Sequence, residues 1–180
     1  DVMKRPDVLK AIDGLQKYLE SAFPEVGKTL SFVDFIKKMN QSMHKDDPAY
    51  NAVPDGQDMI AQYLFLYSMS GDPGDFDSYV DYDYQKANIL VLCKTDSTAF
   101  AEKIIIAVNK YIGEHFPKDI KITPAGSLAV SDALNQVMVH GKIKNIIQIL
   151  AIVFTIGSVV LGSAHRRIFY YSAASDIRNI

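Results

Sequence analysis

The feature that most constrains this chain is an uncharged apolar stretch near its C-terminus. Residues 146–164 read IIQILAIVFTIGSVVLGSA and carry no charge. At about 1.5 Å of rise per residue, a helix of this length spans about 28 Å, close to the hydrocarbon core of a bilayer. Lys142 and Lys144 precede the stretch and Arg166 and Arg167 follow it, as cations do at the two headgroup regions. The pattern predicts a transmembrane helix; the alternative is a buried helix in the core of a soluble protein.

The overall composition is that of a globular protein and does not favour a nucleic-acid partner. Apolar residues are 48% and charged residues 22% of the 180, and the formal net charge is −2. A nucleic-acid-binding surface needs a basic stripe with interleaved aromatic residues, and the sequence shows none. Cys93 is the only cysteine, which excludes an internal disulfide and every multi-cysteine metal site.

Two amphipathic helices are predicted ahead of the apolar stretch. The first begins at Pro6, and Pro24 ends it. The second is capped by Asp96 or Ser97 and stops at Pro117. In each, apolar residues recur at the spacing of one helix face. The first stripe consists of Val8, Ile12, Leu15, Leu19 and Phe23, and the second of Phe100, Ile104, Val108, Tyr111 and Ile112.

Three short segments have the patterns of strands. Val26–Phe32 is a short strand candidate directly after the first helix. Ala87–Cys93 is a continuous apolar run, which predicts a central strand of a sheet. Asp119–Thr123 alternates polar and apolar residues, as half-buried strands do.

Without the residues between the first two strands, the order is helix, strand, strand, helix, strand. One more strand ahead of Asp1 would complete a βαββαβ unit. The sequence therefore predicts an α+β fold: a split βαβ (ferredoxin-like) domain over residues 1–126 that lacks its first strand. A helical insertion occupies about residues 33–84, and it opens with a helix at about Val33–His44 that Ser31 and Asp34 can cap.

The insertion contains the segment with the clearest functional pattern, a predicted helix at Asp55–Ser70. Its centre, MIAQYLFLYSM, is apolar on nearly every side, so such a helix must bury most of its surface. Core packing is the first interpretation. The second is the lining of a path for a hydrophobic substrate, because aromatic rings and thioethers adapt to varied apolar ligands. The lining residues would be Tyr63, Phe65, Leu66, Tyr67 and Met69.

No motif favours catalysis, a cofactor or a metal. The GKT triplet at 27–29 lacks the upstream glycine of a phosphate-binding loop. The acidic residues of 72–83 do not have the spacing of a calcium loop and predict a solvated segment. His44 has two acidic neighbours but no second imidazole, which favours an ordinary loop histidine over a metal ligand.

Five stretches resemble the extracytoplasmic loop of MMPL-type exporters, which belong to the hydrophobe/amphiphile efflux branch of the RND superfamily. They read RPDVLKAIDGLQKYLE, VGKTLSFVDFIKKMNQSMH, IAQYLFLYSMSGDPGDF, VDYDYQKANILVLCKTDS and ITPAGSLAV. The resemblance runs from about Pro6 to Phe154 and is closer to the loop of the second half of the transporter. Its specific part is VGKTLS followed by AQYLFLYSMSGDP. The final SAHRRIFYYSAASDIRNI departs from the continuation that the family usually has.

The resemblance implies a proton-driven membrane exporter of lipids or other hydrophobic molecules rather than an enzyme. It divides the chain into an extracytoplasmic porter domain (1–126), a connecting helix (127–145), a transmembrane helix (146–164) and a tail (165–180). The domain would lie on the periplasmic or extracellular side of the cell (inner) membrane. The implied partners are membrane lipid, the hydrophobic substrate and the rest of the transporter chain, and an oligomer is compatible with the family. No cofactor, metal or nucleic acid is expected, and no proton-relay residue of the family can be assigned in this sequence.

Two other classes of function stay open. The first is a soluble α+β domain that binds a hydrophobic ligand and buries its C-terminal helix. The second is a hydrolase with an unrecognised triad that uses Ser31, Ser127 and His140. A chain that stays soluble and monomeric without detergent would favour the first class over an exporter. Loss of activity on alanine substitution would identify the second.

Overall fold

The computed structural model of the chain describes residues 1–71 and 73–176, without the side chains of residues 70, 73, 140 and 163–176. These residues form a mostly helical α+β structure, which confirms the predicted class. The helices are α1 (Pro6–Ala22), α2 (Phe32–Met43), α3 (Gln57–Ser70), α4 (Thr98–His115) and α5 (Ser127–Asp176), and the strands are β1 (Val26–Ser31) and β2 (Ile89–Cys93). The chain divides into two compact units, Asp1–Ala129 and Val130–Ile180.

Helix α1 follows from its sequence as predicted. Pro6 occupies its first position, where its missing N–H costs no hydrogen bond, and Arg5 ahead of it is extended. All five residues of the predicted stripe are buried, with exposures between 0% for Val8 and 4% for Ile12 and Phe23. The helix ends where Phe23 turns extended ahead of Pro24.

Helix α2 begins with the capping interaction that its sequence predicts. The Ser31 hydroxyl accepts a hydrogen bond from the Val33 N–H at 3.1 Å. The Asp34 carboxylate accepts one from the Ser31 N–H at 2.9 Å, so donors on both sides of the helix start are satisfied. Ser31 also donates to the Gln16 side chain at 2.8 Å, which ties the start of α2 to α1.

Strands β1 and β2 form a two-stranded antiparallel sheet. Ser31 lies opposite Ile89 and Lys28 opposite Leu92, with an irregularity between Val26 and Lys28. The predicted central position of Ala87–Cys93 is wrong for the described residues, because β2 pairs with β1 alone. Leu92 on its outer face is 48% exposed.

The predicted strand at Asp119–Thr123 is also wrong for this structure. Residues 117–120 form a turn in which the Ile120 N–H donates to the Pro117 carbonyl at 3.1 Å, and residues 121–125 belong to no helix or strand. The alternation itself is real, since Ile120 and Ile122 both pack against the core. A strand needs a neighbour to satisfy its backbone, and in the described part of the chain no strand lies beside this segment. The split βαβ sheet is therefore not formed as predicted.

Helix α5 is a single helix of 50 residues. The predicted connecting helix, the predicted transmembrane helix and the backbone of the tail as far as Asp176 are continuous within it, and residues 177–180 lie outside the described part. By length and composition, Ser127–Gly162 is the one helical segment among the described residues that could cross a membrane.

Candidate functional site

Helix α3 carries all five residues predicted to line a hydrophobic path, and it separates them into two groups. The inward face holds Ile60, Tyr63 and Leu64, which are 0%, 8% and 6% exposed. Tyr67 lies on the same side, one turn after Tyr63, and packs against the core. Two of the predicted residues, Tyr63 and Tyr67, therefore belong to the packed side of the helix.

The outward face of α3 is apolar and exposed. Phe65, Leu66 and Met69 are 64%, 45% and 72% exposed. Met59 joins them at 43%, and its spacing of seven residues from Leu66 places it on the same face. We call these four residues the α3 stripe. Sequence reasoning missed Met59, although the helical repeat that links it to Leu66 could have identified it.

Tyr63 anchors α3 to α2 through a buried amide. Its hydroxyl donates to Asn40 Oδ1 at 3.0 Å, while Asn40 Nδ2 donates to the carbonyls of Tyr50 and Ala52 at 2.9 and 3.0 Å. Burial raises the pKa of Tyr63 above that of a free phenol, because the phenolate would lose its hydration. Tyr63 thus serves as a neutral donor that fixes the helix.

Tyr67 holds the last turn of α3 against the following loop. Its ring lies 4.8 Å, between centroids, from Phe76, and its hydroxyl donates to the Asp75 carboxylate. The ring lies directly over Gly71, where a Cβ atom would overlap it. Glycine at 71 is therefore a packing requirement for the position of Tyr67.

An aromatic cluster lies beneath the loop after α3. Phe76 packs edge-on against Phe32 and Phe35, with centroid separations of 5.8 and 5.2 Å. Tyr79 and Tyr84 extend the cluster on either side. Tyr67 joins this cluster through Phe76, so the C-terminal part of α3 packs on an aromatic base.

The α3 stripe could bind a partner by burying its apolar surface. It consists of one ring, one leucine side chain and two thioethers. Fully covering a side chain of this kind contributes about 1.5–3 kcal/mol, so an apolar partner that covered several of them would bind without a polar contact. Each sequence interpretation therefore describes a different part of the set. Tyr63 and Tyr67 pack against the core, whereas Phe65, Leu66 and Met69 are exposed.

Two of the residues considered for metal binding or hydrolysis, His44 and Ser31, have structural roles. The His44 ring stacks on Tyr50 at 3.7 Å and its Nδ1 lies 2.8 Å from the Asn40 carbonyl. Ser31 is occupied as the cap of α2. Ser127 begins α5, and the side chain of His140 lies outside the described residues, as does Asp72 of the acidic segment. Among the described residues, no group of three His, Cys, Asp or Glu side chains is arranged to hold a metal ion.

Helix α5 presents its apolar residues outward around its circumference. Leu150, Val153, Phe154 and Val160 are between 60% and 78% exposed, and the most apolar window of the helix has none of its residues buried. Thr155 donates its hydroxyl to the Ala151 carbonyl at 2.8 Å, so this polar group is satisfied within the helix. The buried core helix of a soluble protein would have the opposite distribution.

Comparisons of the chain with protein-family models, with curated proteins and with solved structures find no match.

Proposed function

We propose that the chain is part of a proton-driven membrane exporter of lipids or other hydrophobic molecules, of the MMPL type within the RND superfamily. In this proposal, Asp1–Ala129 contributes to the extracytoplasmic substrate path and α5 enters the membrane. The observation that carries the proposal is the exposure of the apolar residues of α5. A second exposed apolar surface, the α3 stripe, occurs on the compact α+β unit of the same chain.

The membrane position of α5 is supported by the cost of hydrating its surface. At about 25 cal/mol for each Å² of apolar surface, a row of exposed isoleucine, valine and leucine side chains strongly favours lipid over water. The backbone of a helix is internally hydrogen-bonded, which hydrocarbon requires. Lys142 and Lys144 precede the uncharged part and suit a headgroup region. We place the compact unit on the periplasmic or extracellular side of the inner membrane.

The proposal extends to the fold of the first unit. Its elements follow the order of a split βαβ sandwich, in which α1 and α4 cover one face of a sheet that contains β1 and β2. Helices α1 and α4 contact each other, and α1 contacts β1, as such a layer requires.

The α3 stripe is the proposed contact for the exported molecule. It is uncharged, exposed and held by the core through Tyr63 and Tyr67, so it can accept acyl chains or other apolar groups of varied shape. The other partners are membrane lipid and the rest of the transporter chain, and the assembly is open to oligomerisation. The alternative function, a soluble domain that binds a hydrophobic ligand, would use the same stripe.

The membrane proposal is tested by extraction of the full chain from cells. We expect it to sediment with membranes, to resist alkaline wash and to require detergent for release, because the uncharged stretch lies among lipid tails. A chain that stays monomeric in buffer without detergent would contradict the proposal and favour the soluble binding domain.

Ligand binding is tested on the full chain in detergent with a solvatochromic hydrophobic dye. Replacing Phe65 and Met69 together with serine should lower dye binding severalfold beyond the background of the micelle. Met43→Ser is the matched control, since Met43 is 52% exposed but lies on α2 outside the stripe. Equal loss in both variants would reject the stripe as a ligand surface.

The coupling between the first turns of α5 and its membrane part is tested at Lys142, which lies between them. Because α5 is one helix, we propose that its first turns move with its membrane part, as rigid rocking of units does in transporters. In a complete exporter, Lys142→Pro should reduce export strongly while the protein still reaches the membrane, because proline breaks the helix at a cost of about 3 kcal/mol. Lys142→Ala should export normally. Unchanged export in the proline variant would reject the coupling.

A further inference from the structure

The sequence around α3 concentrates negative charge. Residues 46–85 contain nine aspartates and no lysine or arginine. The whole chain is nearly balanced, with 21 acidic and 19 basic residues, so this stretch is far more acidic than the rest. Helix α3 and its exposed apolar stripe lie within it. A ligand that approaches the α3 stripe therefore meets a negative electrostatic potential.

Asp58 lies on the outward face of α3, in line with two residues of the stripe. Phe65 and Met69 follow it by seven and eleven residues, and at about 100° per residue all three lie within about 20° of one line along the helix. All three side chains are exposed. From Asp58 to Met69 the helix rises about 16 Å. One molecule can therefore contact the carboxylate with its head group and the apolar side chains with its tail.

The other end of the stripe is acidic as well. Asp75 and Asp77 follow α3 and are both exposed. The Asp75 carboxylate accepts a hydrogen bond from the Tyr67 hydroxyl, which holds it beside the last turns of α3. Because a hydroxyl is a neutral donor, this hydrogen bond leaves the charge of Asp75 uncompensated. An anionic head group would therefore meet a carboxylate at either end of the stripe.

The lysine that reaches the start of α3 from another element is already paired. Lys10 of α1 forms an ion pair with Asp55, just ahead of the helix. Among the residues that the structure describes, no ion pair includes Asp58, Asp75 or Asp77. The carboxylates at the two ends of the stripe are therefore available to a cation from outside the chain.

We propose that the α3 stripe selects its hydrophobic ligands by charge and takes cationic amphiphiles, with an ammonium or another basic head group, in preference to anionic ones. The head group lies against Asp58, and the tail covers Phe65, Leu66 and Met69. Burial of the tail supplies most of the affinity and the carboxylates supply the selection, because an exposed charge pair is weak compared with burial of apolar surface. The inference rests on the proposed role of the α3 stripe as a ligand contact and adds the class of head group.

The experiment measures binding of two dansyl-labelled dodecyl chains to the full protein in an uncharged detergent, with the micelle background subtracted. The two probes differ only in the end group, which is a trimethylammonium or a carboxylate. The variant is Asp58→Asn. The matched control is Glu114→Gln, since Glu114 is an exposed carboxylate on α4 and its loss changes the net charge by the same amount. Far-UV circular dichroism is recorded for each variant, because an aspartate in the first turn also favours formation of α3.

At low salt we expect the ammonium probe to bind about tenfold more tightly than the carboxylate probe, because the carboxylates of the protein attract one head group and repel the other. The preference should shrink at high salt. Asp58→Asn should reduce it about threefold with unchanged helix content, whereas Glu114→Gln should keep it. Equal affinity of the two probes at low salt would overturn the proposal, and so would the same preference in the two variants.

These outcomes differ from those that would reject the ligand role of the stripe. If the two probes bind equally and both lose binding when Phe65 and Met69 are replaced by serine, the stripe is a ligand surface and the charge selection is wrong. If the double serine variant binds both probes as the original chain does, the stripe is not the ligand surface and both proposals are wrong.

Discussion

Among single residues, Asn40 makes the polar connection between α2, the turn at Pro48–Tyr50 and α3. Its amide is 6% exposed and takes part in three hydrogen bonds, to the carbonyls of Tyr50 and Ala52 and from the Tyr63 hydroxyl. Asn40→Ala should lower the free energy of unfolding by about 2–3 kcal/mol, because it leaves partners without their bonds in a buried place. Urea denaturation of the chain in detergent measures the loss.

The control for this substitution is Asn51→Ala, at an exposed position just after the same turn. It should change the free energy of unfolding by less than about 0.5 kcal/mol. Similar effects of the two substitutions would contradict the role of Asn40 as the buried connection.

Asp13 is a largely buried carboxylate in two ion pairs, and we expect acid to weaken them. Its carboxylate accepts hydrogen bonds from Lys17 and Lys37, both at 2.7 Å, and the side chains of Asp13 and Lys37 are only 13% and 16% exposed. Burial acts to raise the pKa of Asp13, but the two lysines outweigh it and hold the pKa below its ordinary value. The stabilisation is therefore complete above the unfolded pKa of about 3.9 and is lost as the pH falls through the lower folded value.

Asp13→Asn should remove this dependence. We expect a loss of about 1 kcal/mol at neutral pH and a shallower fall in stability below about pH 4 than in the original chain. Asp46→Asn is the control, because Asp46 pairs with Lys38 on the surface, where both side chains are about two-thirds exposed. Thermal unfolding across pH 2.5–7 distinguishes the two, and an unchanged acid limb in Asp13→Asn would contradict the assignment.

At the scale of elements, the sequence correctly predicted the features that depend on residues close together in the chain. The start of α1 at Pro6, its buried stripe and the cap of α2 at Ser31 and Asp34 all depend on residues within one or two turns. The predicted strand at Asp119–Thr123 has the correct alternation, but a strand also requires a neighbouring backbone. That requirement is not encoded within the segment, which is why the pattern alone could not predict the turn at Pro117–Ile120.

Helix α3 shows the same limit of sequence-based prediction at a candidate site. Its composition indicated an apolar helix, and nearly uniform apolarity removes the periodic signal that identifies the buried face. The tertiary contacts of the inward residues determine the orientation, among them those of Tyr63 with Asn40 and of Tyr67 with Phe76. The separation of the five predicted residues into two groups could therefore not be predicted from sequence.

The two faces of α3 should differ sharply in substitution experiments. Ile60→Ala should cost about 2–4 kcal/mol, because Ile60 is fully buried and its removal leaves a cavity. Phe65→Ala should cost less than about 1 kcal/mol despite the larger side chain, since the ring is 64% exposed. Urea denaturation compares the two, and a larger loss for Phe65→Ala would mean that the stripe is part of a core.

At the scale of the whole molecule, the chain combines a compact α+β unit with a helix whose apolar surface is exposed. The predicted connecting and transmembrane helices, 127–145 and 146–164, both lie within α5. The two compact units divide between Ala129 and Val130, a division that depends on tertiary contacts. The predicted end of the porter domain at residue 126 stays a prediction. Length and composition show only that α5 could cross a membrane, whereas contacts decide where the first unit ends.

A charge in the middle of α5 tests the lipid environment directly. Ile156→Arg places a guanidinium next to the centre of the uncharged stretch 146–164, where arginine costs about 2.5–3.5 kcal/mol in membrane insertion. The ratio of inserted to non-inserted chain, measured by resistance to alkaline wash, should fall by about two orders of magnitude, since each 1.4 kcal/mol is a factor of ten. Val137→Arg is the control, because Val137 is 72% exposed on the same helix but precedes the uncharged stretch. Equal insertion of the two variants would place residues 146–164 outside the bilayer and remove the basis of the exporter proposal.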